Sequence, residues 1–381
     1  MTTLITNCRL VTPGLELESA SILVENDRIR AVLPAGAALP AADRIIDAAG
    51  LTAVPGFVDV HCHGRNNADF SDGSVEGVNR IGRGKLEEGV TTLLPTTLTL
   101  PEQDLAASLR SITAYDGKGC RMPGVHLEGP FINPKCTGAQ NPAFVRNPDI
   151  EEVKRLNAIY PVRKVSFAIE QPGGVELAAG LLRLGITPSC VHSAANYAQF
   201  RAGYTAGLCN LSHFCNQMTP LHHRDIGLVG AGLLLDEVRL ELICDKLHVS
   251  PEMIALAFKV KGAERILLIS DAMRASGMPD GEYTLGGLPV IVRDGAARLK
   301  EGGALAGSTL RLNHALRNVA EVTQKPLHEV VAASSLTAAE SVGLSGIGRL
   351  TPGYLADIVL LDADFEVVHT FVGGELRYSR N

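Results

Sequence analysis

Between residues 54 and 271 the chain repeats one pattern eight times: a short apolar, β-branched run that ends on a polar residue. The runs are 54–61, 90–95, 124–128, 165–169, 186–192, 208–213, 240–245 and 266–271, and helix-like stretches at 75–88, 148–160, 174–184, 197–206 and 251–261 lie between them. Strands that alternate with helices form a parallel sheet. Eight repeats predict a closed (β/α)8 barrel of the TIM type, and runs apolar along their whole length fit strands buried on both faces.

The two ends of the chain read differently. Residues 1–53 and 344–381 are short alternating runs separated by turn residues such as Pro13-Gly14, Asn26-Asp27 and Gly373-Gly374. The expected organisation is a small, sandwich-like β domain built from both ends (1–53 plus 344–381) and a barrel domain over 54–343. The length of 381 residues accommodates this, because such a barrel needs only ~250.

Composition narrows the function classes. The formal net charge of −6 argues against nucleic acid as a partner. No apolar run reaches the ~18 residues of a membrane span, and residues 1–11 lack the basic and apolar regions of a signal peptide. The eight cysteines are scattered without a C-x-x-C pair, which suits reduced thiols in a cytoplasmic protein.

The ionisable residues fall at the run ends. Run one ends in His61-Cys62-His63, run three in Glu128, run five in His192, run six in His213 and run eight in Asp271. In a barrel all C-terminal strand ends face one mouth, and residues i and i+2 of a strand point the same way, so His61 and His63 can both face it. Imidazole and carboxylate donors together suit zinc, iron, manganese or cobalt. Asp271 has no paired acid nearby in sequence and is the candidate general base and acid. His126 reads as a packed barrel-interior residue; His314, His328 and His369 as surface or packing residues; Glu170 as a minor support.

These stretches carry a resemblance. Residues 55–64 (PGFVDVHCHG), 126–133 (HLEGPFIN), 213–218 (HFCNQM), 270–273 (SDAM) and 305–308 (LAGS) are similar to the N-acetylglucosamine-6-phosphate deacetylases of the amidohydrolase superfamily, over nearly the whole chain. The resemblance implies Glu128, His192 and His213 as main metal ligands, with His61 and His63 able to hold a second ion. It implies Asp271 as the catalytic acid/base and Asn216, Gln217, Arg224 and His248 as sugar-phosphate contacts. It also implies a homodimer in which the residue equivalent to His248 reaches a neighbouring subunit's site.

Three departures bear on the substrate. Gln140 stands where the family has histidine, Arg65-Asn66-Asn67 replace a glycine-rich stretch, and Gln217 replaces alanine. Gln140 can still donate a hydrogen bond to the substrate but cannot carry charge. All three fall in expected mouth loops, which set specificity on this fold. The reading is amide hydrolysis of N-acetylglucosamine 6-phosphate. Its rivals are the N-acetylgalactosamine epimer or another N-acyl substrate, a cyclic-amide or deaminase chemistry, and a non-catalytic sugar-phosphate sensor.

Overall fold

The computed structural model describes residues 1–380. Eight parallel strands run in sequence order around a barrel: Phe57–Cys62, Val90–Thr97, Val125–Glu128, Val162–Phe167, Thr187–Cys190, Asn210–Leu211, Arg239–Leu242 and Ile266–Leu268. We number them one to eight. Strands one and eight share no ladder, and the barrel closes there through the Asp271 amide on the His61 carbonyl (2.8 Å) and the His63 amide on the Ala272 carbonyl (2.9 Å). Below these bonds Asp59 of strand one accepts from the Ser270 amide (3.2 Å) and hydroxyl (2.5 Å).

The helices around the barrel start on recognisable caps. Ser74 accepts from the Gly77 amide at 3.1 Å ahead of Val75–Gly84, which buries Val78 and Ile81 on one face. Ser250 caps Pro251–Lys261, where proline fills a first-turn position whose N–H has no helical partner. A continuous core joins these helices to the strands, with Phe57, Phe167, Phe200 and Phe214 fully buried.

The chain ends form one hydrogen-bonded sheet of eight strands. Thr2–Thr12 pairs antiparallel with Leu15–Glu25 along one edge; along the other it forks, pairing parallel with Arg44–Asp47 and then Thr52–Pro55. Ile358–Leu361 returns antiparallel on Thr52–Pro55, followed by Val367–Val372 and Glu375–Ser379. Its core is separate from the barrel's and includes Ile5, Leu10, Ile22, Leu360 and Phe371. Residues 54–55, read from the sequence as barrel strand, hydrogen-bond in this sheet instead, and the chain passes into the barrel at Gly56.

One element was not foreseen. After strand eight, Gly281–Leu285, Leu288–Arg293 and Ala296–Leu299 form a three-stranded antiparallel sheet. Its first turn is Gly286-Gly287, with φ of 56° and 82°, the left-handed pair that a two-residue hairpin turn requires. The sheet packs Leu285 and Val290 against Leu98 and Met273 beside the barrel mouth. All eight cysteines are unpaired, and among the described residues no helix is long and apolar enough to cross a membrane.

Candidate active site

Strands five, six and eight end sooner than their apolar runs. The ladders stop at Cys190, Leu211 and Leu268, and beyond them His192, His213 and Asp271 adopt positive φ of 45°, 31° and 47°. Left-handed backbone at non-glycine residues costs about 1–3 kcal/mol each and collects where function demands a side-chain direction. Here it turns three ionisable side chains into one cleft of about 200 Å³, which Glu128, His63, Gln140, Asn216, Gln217 and His248 also line.

Glu128 is the hub. Its Oε1 lies 3.3 Å from His61 Nε2, 3.2 Å from His213 Nε2 and 3.7 Å from His192 Nε2, and its Oε2 lies 3.2 Å from His63 Nε2. Asp271 Oδ1 faces it from across the cleft, 3.2 Å from His63 Nε2 and 3.5 Å from His61 Nε2.

Three of the four imidazoles have their tautomer set from behind. His192 Nδ1 donates to the Cys136 carbonyl (2.7 Å), His63 Nδ1 to the Thr96 carbonyl (3.2 Å) and His61 Nδ1 to the Glu241 carboxylate (3.0 Å). Each Nε2 therefore faces the cleft, the nitrogen that a metal-ligating histidine offers once its Nδ1 is engaged.

The donors fit a metal. His192 Nε2 and His213 Nε2 stand 3.2 Å apart, and His61 Nε2 is fully buried with no hydrogen-bond partner. Ligands placed tetrahedrally about 2.0–2.1 Å from an ion are roughly 3.3 Å from one another. Two sets of donors, each lying within 4.8 Å of one another, share Glu128: His61, His63, Glu128 and Glu128, His192, His213.

The electrostatics follow from burial against pairing. Burial opposes charge on Glu128, but the imidazoles of His61, His192 and His213 outweigh it and hold the carboxyl well below its usual range. Asp271 is likewise held low, burial being outweighed by His61 and His63. Burial works against a charged His63, yet Asp271 and Glu128 raise it well above an ordinary imidazole. His213 and His126 are lowered by burial.

The comparisons with known proteins agree on what this cleft belongs to. Residues 280–377 match the model of the amidohydrolase family. An N-acetylglucosamine-6-phosphate deacetylase from Lysinibacillus sphaericus is 37% identical over 341 residues, 88% of each chain. The chain belongs to the N-acetylglucosamine-6-phosphate deacetylase family of amidohydrolases. An N-acetylgalactosamine-6-phosphate deacetylase from Escherichia coli O157:H7 is 38% identical over 328 residues, covering 84% of this chain and 86% of its own. A deacetylase variant from Mycobacterium smegmatis, solved in complex with N-acetyl-D-glucosamine-6-phosphate, superposes with a TM-score of 0.92 at 31% identity over 99% of this chain and 100% of that one.

Against this deacetylase family, the departing residues sort into different places. Gln140 is buried, its Oε1 accepting the Thr99 amide (2.7 Å) and its Nε2 donating to Glu128 Oε2 (2.6 Å). The Thr99 N–H fixes which end of the amide is oxygen, so Gln140 braces Glu128 and keeps one N–H for the cleft. Arg65 is not at the mouth: it is 2% exposed and pairs with Glu88 and with Glu87 (3.0 Å). A guanidinium beside two carboxylates is held there by charge, and that departure belongs to the scaffold.

The sugar-phosphate candidates also divide. Asn216, Gln217 and His248 line the cleft of their own chain. His248 Nδ1 is held by Asp245 at 2.6 Å. Arg224 does not line this cleft. It sits on an exposed loop with Leu221, His222, His223 and Asp225, its Nη1 2.7 Å from His223 Nε2.

Sequence reasoning missed the polar layer below. Glu241 of strand seven pairs with Lys164 of strand four, and both are 1% exposed. Burial draws the Lys164 ammonium down to about 7, but direct contact with the carboxylate favours the charged form, so the two stand as an ion pair. The available signal was Glu241, a charge between two leucines in the apolar run of strand seven. His126 is in this layer, its Nε2 2.6 Å from Ser166 Oγ. Glu170 accepts from Asn133 (2.7 Å), Ser193 (2.6 Å) and the Ala194 amide (2.7 Å), bracing the loop that carries His192.

Proposed function

We propose that this chain hydrolyses the acetamide of N-acetyl-D-glucosamine 6-phosphate to glucosamine 6-phosphate and acetate. In this reading Glu128, His192 and His213 hold one divalent cation and His61 and His63 with Glu128 a second, zinc fitting this donor set and iron, manganese or cobalt serving as substitutes. The observation that carries it is a Glu128-centred ligand cluster facing one lone carboxylate, Asp271, across a single cleft.

When bound, such a cation supplies a Lewis acid for the acetyl carbonyl and lowers the pKa of a water to ~7. Asp271 accepts the proton that water loses as its oxygen joins the acetyl carbon. Asp271 then gives that proton to the sugar nitrogen as the C–N bond breaks. Gln140 holds Glu128 in place and offers its remaining N–H to the substrate. Asn216, Gln217 and His248 orient the sugar phosphate. Protein stripped with a chelator is expected to release no acetate and to recover on adding zinc; stripped protein working at full rate would contradict the reading.

The phosphate needs a cation that the cleft lacks, since no Lys or Arg lines it among the described residues. Arg224, a planar donor on an exposed loop, supplies it if that loop covers the cleft of a second subunit in a homodimer. Charge-assisted hydrogen bonds contribute about 1.5–3 kcal/mol, so Arg224→Ala is expected to raise KM roughly 10- to 100-fold with kcat nearly kept. An unchanged KM, or a chain that scatters light as a monomer, argues against this arrangement.

One observation favours a second sugar. A relative named for the galactosamine epimer is 38% identical over 84% of this chain. A phosphorylated substrate and eight unpaired cysteines suit a cytoplasmic enzyme.

A further inference from the structure

We infer that Glu241 is the positioning residue of His61, a carboxylate beneath the cleft that decides which ring nitrogen of His61 meets a bound cation. The inference rests on the reading of His61 as a cation ligand. Glu241 lies mid-strand in Arg239–Leu242, between the fully buried Leu240 and Leu242. Nothing in strand formation calls for a carboxylate there, and burying one is costly without compensation. Its two oxygens are both engaged. Oε2 accepts a hydrogen bond from His61 Nδ1 at 3.0 Å and Oε1 accepts one from the Lys164 ammonium. Lys164 balances the charge, so the carboxylate adds no net charge beneath the cations.

The consequence falls on the other side of the ring. A neutral imidazole has one N–H, and a carboxylate at Nδ1 leaves the lone pair on Nε2. That Nε2 is fully buried, has no hydrogen-bond partner, and stands 3.3 Å from Glu128 Oε1 and 3.5 Å from Asp271 Oδ1. The His126 ring, edge-on at 4.6 Å and 89°, limits rotation of the imidazole. Glu241 therefore presents a preset donor to the ion shared with His63 and makes no contact with the cleft itself.

Removing Glu241 alone would strand a buried ammonium, so the test changes the pair. Lys164→Met/Glu241→Leu removes both charges and the acceptor; Lys164→Met/Glu241→Gln removes both charges and keeps a carbonyl acceptor for His61. Zinc affinity is measured by competition with a chromogenic chelator on protein with wild-type circular dichroism, following the ion that His61→Ala weakens. The leucine variant is expected to bind that ion roughly 10- to 100-fold more weakly, as for other outer partners of metal-ligating histidines. The glutamine variant is expected to bind within about threefold of wild type, and the ion held by His192 and His213 to be unmoved in both. Leucine and glutamine variants that bind alike overturn the inference. If His61→Ala itself weakens no ion, the ligand reading of His61 fails and takes this inference with it. If His61→Ala weakens an ion and the leucine variant does not, this inference fails alone.

Discussion

Asp271→Asn lowers kcat for acetate release by about 10²- to 10⁴-fold, the usual weight of a positioned general acid–base, and leaves the protein folded. Asparagine keeps the shape and accepts the left-handed backbone that Asp271 adopts at φ 47°. The closure bonds around it, from the Asp271 amide to the His61 carbonyl at 2.8 Å and from the Ser308 amide to the Asp271 carbonyl at 2.7 Å, use only backbone. What the substitution removes is a basic oxygen 3.2 Å from His63 Nε2. Gly307, at φ 60°, allows the close approach on this side: a Cβ there would stand 3.2 Å from the Asp271 carbonyl oxygen. The check is a steady-state acetate assay beside a melting curve. An Asp271→Asn protein of unchanged stability turning over at the wild-type rate would remove Asp271 from the reaction.

Lys85→Met lowers stability by about 3–5 kcal/mol, the cost of removing one partner from a buried ion-pair cluster, in which Asp59 loses its cation while Glu88 keeps Arg65. Lys85 is fully buried, with Nζ 3.1 Å from Asp59 Oδ2, 3.2 Å from Glu88 Oε2 and 3.1 Å from Ser270 Oγ. Asp59 sits two residues before His61, and Ser270 precedes Asp271, so this cluster ties together the two strands that share no ladder. The surface pair Arg80–Glu76, at 2.7 Å with side chains 45% and 82% exposed, is the comparison. Arg80→Met is expected to cost under about 1 kcal/mol. Urea unfolding of both variants decides it; similar midpoints for the two would show that the buried cluster does not hold the seam.

The barrel was legible because its strands are buried on both faces and so read as unbroken apolar runs, punctuated by the residues that reach the mouth. His61, His63, Glu128, His192, His213 and Asp271 were found by that punctuation, and the structure brings all six within one cluster. The run ends were placed too late at strands five, six and eight, since positive φ breaks the ladder before the cleft-facing side chain while the apolar character continues. The three-stranded sheet at 281–299 escaped because it lies beyond the eighth barrel run, although Leu285-Gly286-Gly287-Leu288 is a hairpin signal.

Arg65 shows a different limit. Sequence position put it beside the H-x-H pair, but which way a long cation turns depends on where its carboxylates lie, and Glu88 is fully buried. Glu241 and Lys164 were hidden for a related reason. Glu241 is a charge in an apolar run and Lys164 stands just ahead of one, and only the barrel's closure shows that they meet. Gln140 looked like a substrate residue. Its engagement with Thr99 and Glu128 makes it first a brace for Glu128.

The most direct test is acetate release by zinc-loaded protein from N-acetylglucosamine 6-phosphate, with N-acetylgalactosamine 6-phosphate and unphosphorylated N-acetylglucosamine assayed beside it. The highest kcat/KM is expected on N-acetylglucosamine 6-phosphate, with a large loss when the phosphate is absent. Preference for the galactosamine epimer, or equal rates with and without phosphate, would contradict the proposed function.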